Sequence, residues 1–178
     1  MGRIRIIFFD ISGTVLNPRT KQISDKTVEA LKALNHKGIK LCATTRLSSF
    51  NIPALSDVKF DASITFDGKF CYAENKLIFS QEKMIQIDKK VAIDKILDYF
   101  HIEKNEALAF ASGDNDIELF CPNVGYTVAM GNASNRLKLD SNEICGSIDE
   151  DGLYHFLETY FIISNEIYKT HHYIECYQ

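Results

Sequence analysis

Ile4, Ile6, Ile7, Phe8 and Phe9 form a nearly continuous apolar run that stops at Asp10. Such a strand must be covered on both faces, as a central strand of a parallel sheet is, whereas a half-solvated strand would alternate. A layered α/β architecture follows from that demand, and the rest of the chain supplies the layers. Ser24 is placed to cap a helix in which Val28, Leu31 and Leu34 recur at helical spacing, and Gly38, after Lys37, supplies a left-handed stop. Residues 39–43 predict the next strand and 62–66 a third, with a short helix carrying Leu47, Phe50, Ile52 and Leu55 in a linker broken by Pro53. Residues 69–72 and 77–79 flank Ala73, Glu74, Asn75 and Lys76, a length suited to a small antiparallel hairpin flap.

From Asp88 the period returns to helical, with Val91, Ile93, Ile96, Leu97 and Phe100 on one face, and residues 107–111 read as another buried strand. Segments 115–120, 126–129, 134–139, 143–145 and 152–163 continue as helix, strand, helix, strand and helix. This alternation predicts a doubly wound, mostly parallel sheet formed by residues 1–163, with 164–178, including His171 and His172, as a C-terminal extension.

Composition excludes several other classes. With 178 residues, 46% of them hydrophobic and 25% charged, the chain has the make-up of one globular domain and not of a disordered or fibrous protein. A formal charge of −4 offers no general basic field for nucleic acid. Cys42, Cys71, Cys121, Cys145 and Cys176 form no C-x-x-C pair and read as free thiols in a reducing cytoplasm. The N-terminal apolar run is too short for a signal sequence, and Glu158 and Glu166 interrupt the greasiest segment. Neither export nor a membrane span, which needs about 20 apolar residues, is expected.

In open parallel sheets, ligands bind beyond the carboxyl ends of the strands, and Asp10, Thr44 and Ser112 all fall at such ends. The stretch Phe8-Phe9-Asp10-Ile11-Ser12-Gly13-Thr14-Val15-Leu16 resembles the first motif, D-x-D-G-T, of the haloacid dehalogenase (HAD) superfamily, with Ser12 at the second aspartate. Ala43-Thr44-Thr45-Arg46 resembles the second motif of its Cof-type sugar-phosphatase branch, A-T-G-R. Residues 110–118, Phe-Ala-Ser-Gly-Asp-Asn-Asp-Ile-Glu, resemble the fourth, F-G-D-G-x-N-D-I-E. Lys89, followed by Ala92 and Ile93, stands where the branch has its third-motif lysine, and Ala129-Met130-Gly131-Asn132-Ala133 and Asp151-Gly152 extend the similarity across residues 4–160.

The resemblance implies a Rossmann-like core and a magnesium-dependent phosphatase acting on phosphomonoesters through an aspartyl-phosphate. Asp10 would be the nucleophile. Ser12, Gly13, Thr14, Thr44, Thr45 and Lys89 would hold the phosphoryl group, Lys89 offsetting negative charge. Asp10, Ser12, Ser112, Asp114 and Asp116 would surround the metal. Three departures stand out. Ser12, the counterpart of the catalytic acid, cannot titrate near neutrality. Ser112 replaces a coordinating aspartate, unless Gly113-Asp114 aligns there instead. Finally, the passage from Phe79 to Lys89 leaves no room for a cap domain. The implied partner is a small phosphorylated metabolite or a phosphorylated protein, with a homo-oligomer as one way to close an open site. The alternative to weakened catalysis is a non-catalytic module that binds a phosphorylated ligand.

Overall fold

A computed structural model describes residues 2–47, 55–81 and 88–163. Its centre is β1 (Ile6–Asp10), buried at every position as the apolar run requires. α1 (Asp25–His36) begins where the Ser24 side chain accepts a hydrogen bond from the Thr27 N–H, and the chain leaves it through Gly38 at φ +74°. β2 (Lys40–Thr44) returns parallel to β1, and β3 (Ala62–Thr65) lies parallel to β2. The predicted hairpin is present as β4 (Phe70–Ala73) and β5 (Lys76–Ser80), and it continues the sheet, with β4 antiparallel to β3. Its turn uses two left-handed residues, Glu74 at φ 49° and Asn75 at φ 64°, whose twist matches that of the strands they join.

α2 (Lys89–Phe100) starts at Asp88, whose carboxylate accepts from the Lys90 N–H, and leads to β6 (Ala107–Ala111) on the other side of β1. β7 (Tyr126–Ala129), α3 (Asn135–Leu139), β8 (Glu143–Ile144) and α4 (Gly152–Leu157) complete the described chain, and α4 runs on into a π-helical turn, Glu158–Ile163. The sheet order is β5-β4-β3-β2-β1-β6-β7-β8. The expected α/β fold is therefore observed. The short helix expected around Phe50 and Ile52, and the C-terminal extension with His171 and His172, lie outside the described residues.

The right-handed crossovers run in opposite directions, from β1 to β2 through α1 and from β5 back past β1 to β6 through α2, so these helices cover opposite faces of the sheet. The core follows this division. Phe9 stacks on Phe110 of β6 with ring centroids 5.6 Å apart, and Phe110 meets Phe156 of α4 edge-on at 5.2 Å. Strand alternation then turns Phe8 and Asp10 to the other face, that of α2. Each fully buried Phe contributes about 1.5–3 kcal/mol, so this aromatic stack fixes both the register of β1 against β6 and the direction of Asp10. The carboxyl ends of β1, β2, β3 and β6 meet at the point where the winding reverses, where a crevice is expected. Among the described residues no helix is long and apolar enough to cross a membrane.

Candidate active site

Asp10 closes β1 in register with Thr44 at the end of β2, and the Ile11 N–H donates to the Thr44 carbonyl at 3.2 Å. The Thr44 hydroxyl is buried and donates to the Phe9 carbonyl at 3.3 Å, so a phosphoryl oxygen would have to draw it from that bond. Beyond Asp10 the chain turns tightly: the Val15 and Leu16 N–H groups donate to Ile11 O at 3.1 and 2.8 Å. The Ser112 hydroxyl, just past β6, donates to Ser12 O at 3.1 Å and lies 3.4 Å from Asp10 Oδ2. That places it between the Asp10 carboxylate and the carbonyl two residues on.

Lys89, the first residue of α2, is 3% exposed, and its ammonium lies 3.1 Å from Asp116 Oδ1, 3.2 Å from Asp67 Oδ1 and 3.3 Å from the Asn115 carbonyl. Burial alone would lower its pKa, but Asp116 and Asp67 outweigh that and hold it above the ordinary lysine value. The structure therefore brings the sequence-predicted lysine to the pocket as a fixed, charged group. Its own N–H is held by the Glu118 carboxylate at 3.1 Å, which anchors the start of α2. Asp10 has the opposite balance. Burial, and then the nearby Asp116 carboxylate, push it from 3.8 up to about 8 against the pull of Lys89 and Ser112. Asp10, Asp116 and the Lys89 ammonium are all buried here, with the half-exposed Asp67 carboxylate at the edge of the group.

Three expected roles change. Gly13 does not present its N–H to the pocket, because that group donates to Leu16 O at 2.8 Å. Its contribution is steric: at φ +90°, a Cβ would meet Ser112 Oγ at 2.5 Å, so only glycine lets the loop close over Ser112. Thr45 likewise has its N–H committed, to Ile64 O at 2.9 Å, while its hydroxyl accepts from the Leu47 N–H at 3.1 Å. Asp114, expected near the metal, instead accepts a short hydrogen bond from the Ser134 hydroxyl that caps α3. Ser12 is exposed on the loop, and Thr14 is buried with its hydroxyl unpartnered. Among the described residues no three His, Cys, Asp or Glu side chains gather into a metal-holding group, which leaves Asp10 and Asp116 as the paired carboxylates.

A sequence model of the haloacid dehalogenase-like hydrolases matches residues 7–87 and 83–157. The chain belongs to that family. The two matched segments of this HAD-like chain meet between β5 and α2, where only residues 81–88 stand in the place of a cap domain. A Haemophilus influenzae protein is 40% identical over 73 residues, covering 41% of this chain and 28% of that protein. The 5-amino-6-(5-phospho-D-ribitylamino)uracil phosphatase of Bacillus subtilis is 36% identical over 75 residues, 42% of this chain and 27% of that one. The matched stretch thus spans less than a third of either relative. Among solved structures, a HAD-superfamily phosphatase from Bacteroides thetaiotaomicron superposes with a TM-score of 0.78 at 17% identity, over 90% of this chain and 96% of that chain. A HAD subclass IIB sugar phosphatase gives 0.76 at 20% identity, over 89% and 99%. At these identities the structural likeness is one of fold.

Within this HAD-like site, two residues contribute that sequence reading did not single out. Asp67 follows β3 in a turn where Phe66 and Asp67 are both left-handed, at φ 48° and 55°, a costly conformation for non-glycine residues, and it faces Lys89. The Asp-Gly pair just beyond a strand end was the available signal. Asn132 donates to Gly13 O at 2.9 Å and accepts from the Ile148 N–H at 2.8 Å, tying the Asp10 loop to the segment after β7. Its signal was the Gly-Asn-Ala match, to which the sequence assigns no role.

Proposed function

We propose that the chain is a magnesium-dependent phosphatase that transfers a phosphoryl group to Asp10 and then to water, working slowly because Ser12 and Ser112 replace carboxylates. The observation that carries this reading is the meeting of Asp10, Asp116 and Lys89 at the carboxyl end of β1, beside the Thr44 hydroxyl. The donor set suits a small hard cation: two carboxylates, the Ser12 carbonyl and the Ser112 hydroxyl are all oxygens, and such an ion is commonly held by one or two carboxylates with water and substrate phosphate completing its shell. When bound, it would neutralise charge on the phosphoryl oxygens and relieve the crowding of Asp10 by Asp116. The chain's own residues would do the rest. Asp10 attacks in line, Lys89 offsets charge on the transferring group, and the Thr44 hydroxyl and the N–H groups around Ser12 and Thr14 orient it.

The substrate under this reading is a small phosphorylated metabolite. The test is hydrolysis of p-nitrophenyl phosphate with magnesium, where turnover no greater than that of Asp10→Asn would end the enzymatic reading. A second reading, a non-catalytic module holding a phosphorylated ligand or protein, is favoured by the Ser112 hydroxyl, which occupies the space between Asp10 and the Ser12 carbonyl. Calorimetry with magnesium and inorganic phosphate separates the two, since binding without hydrolysis supports the module.

A further inference from the structure

We propose that this site is selective for activated phosphates, namely acyl phosphates, phosphoanhydrides and aryl or enol phosphates, and discriminates against phosphorylated alcohols. The inference rests on Asp10 being the nucleophile. In the first step an Asp10 Oδ–P bond forms while the bond from phosphorus to the leaving oxygen breaks, and the electron pair stays on that oxygen. An alkoxide leaving in this way is about as basic as hydroxide and needs a proton as it departs. A carboxylate, phosphate or phenolate leaves as a stable anion and does not.

Apart from Asp10, which must be ionised to attack, no described titratable group of the pocket has a free proton to give. Ser12 stands two residues beyond the nucleophile with a hydroxyl that does not titrate near neutrality. Lys89 has three N–H bonds, and three acceptors surround its nitrogen: Asn115 O at 3.3 Å, Asp116 Oδ1 at 3.1 Å and Asp67 Oδ1 at 3.2 Å. Asp116 and Asp67 both serve as counter-ions to that ammonium. The carboxylate of Asp114 is turned to Ser134, and the single proton of the Ser112 hydroxyl is directed at Ser12 O and Asp10. The same lack governs the second step. A water oxygen bonds to phosphorus, Asp10 recovers its electron pair, and the water's proton must pass to solvent because no base stands at position 12. The phosphorylated Asp10 therefore accumulates when the first step is fast.

The experiment compares acetyl phosphate, p-nitrophenyl phosphate and glucose 6-phosphate on the full chain with magnesium, with acid quenching to trap phosphoprotein. General acids typically contribute about 10²- to 10⁴-fold, so kcat/KM for the two activated substrates should exceed that for the sugar phosphate by at least about 100-fold. Trapped phosphate should be present in the wild type and absent in Asp10→Asn. Ser12→Asp, which returns a titratable acid to the loop, should raise the sugar-phosphate rate by about 10²- to 10⁴-fold and the p-nitrophenyl phosphate rate by less than about tenfold. Equal rates on all three substrates, or an equal gain on all three in Ser12→Asp, would overturn the selectivity while leaving the phosphatase reading in place. Absence of turnover and of trapped phosphate with every substrate would overturn both. Should Ser12→Asp fail to fold, the wild-type comparison of the three substrates decides alone.

Discussion

Replacing Asp10 by Asn should stabilise the protein, and by an amount that grows with pH. In the fold, burial and Asp116 raise the Asp10 pKa from 3.8 to about 8. Between those values the folded chain holds a proton that the unfolded chain has released, so wild-type stability is full below about pH 4 and is lost as pH rises toward 8. The slope for one such group approaches about 1.4 kcal/mol per pH unit in this window, or about 2–3 kcal/mol between pH 5 and pH 7. An asparagine of nearly the same shape has no proton to lose. Other titrating groups largely cancel in the difference between the two proteins. Urea denaturation followed by circular dichroism, in chelator and at pH 5, 6, 7 and 8, should show the variant gaining on the wild type at each step. With a urea slope of about 1–3 kcal/mol/M, the relative midpoint should shift by about 1–3 M from pH 5 to pH 7. A gap between the two proteins that stays constant from pH 5 to pH 8 would show that Asp10 does not sit, desolvated, beside another carboxylate, and the description of the pocket would have to be given up.

Two other perturbations probe the same charges. Lys89→Met removes the cation between Asp116 and Asp67 while preserving much of the buried stem, and should cost about 3–5 kcal/mol near neutral pH, read from denaturation midpoints. A loss below about 1 kcal/mol would mean that the lysine is not buried as described. Ser112→Asp puts a third carboxylate beside Asp10 and the Ser12 carbonyl, and should lower stability in chelator while tightening magnesium binding at least about tenfold by calorimetry. Unchanged magnesium affinity would place the cation elsewhere.

Much of this arrangement was legible in the residues because local and tertiary demands agreed. The apolar run into Asp10, the Ser24 cap, the Gly38 stop and the Asp88 start each have a local cause, and the structure keeps all four. The order of Asp10, Thr44, Lys89 and Asp116 along the chain was also readable, because three of them sit at strand ends or helix starts that periodicity marks. Hydrogen-bond partners were not readable. Whether the Gly13 N–H faces the pocket or Leu16, and whether Asp114 faces a metal or Ser134, depends on loop geometry set by segments over a hundred and about twenty residues away. Asp67 escaped for the same reason: its place beside Lys89 comes from a left-handed turn of two non-glycine residues, which local preference argues against.

The ammonium of Lys89 joins the turn after β3 to the turn after β6, two loops that belong to opposite flanks of β1. The pocket is in this sense a knot tied between two half-sheets, with α2 as the cord. Each flank supplies one of the two counter-ions of that ammonium, Asp67 on one side and Asp116 on the other. Any process that lets one flank open independently would leave the ammonium with a single carboxylate and would part Lys89 from one half of the pocket.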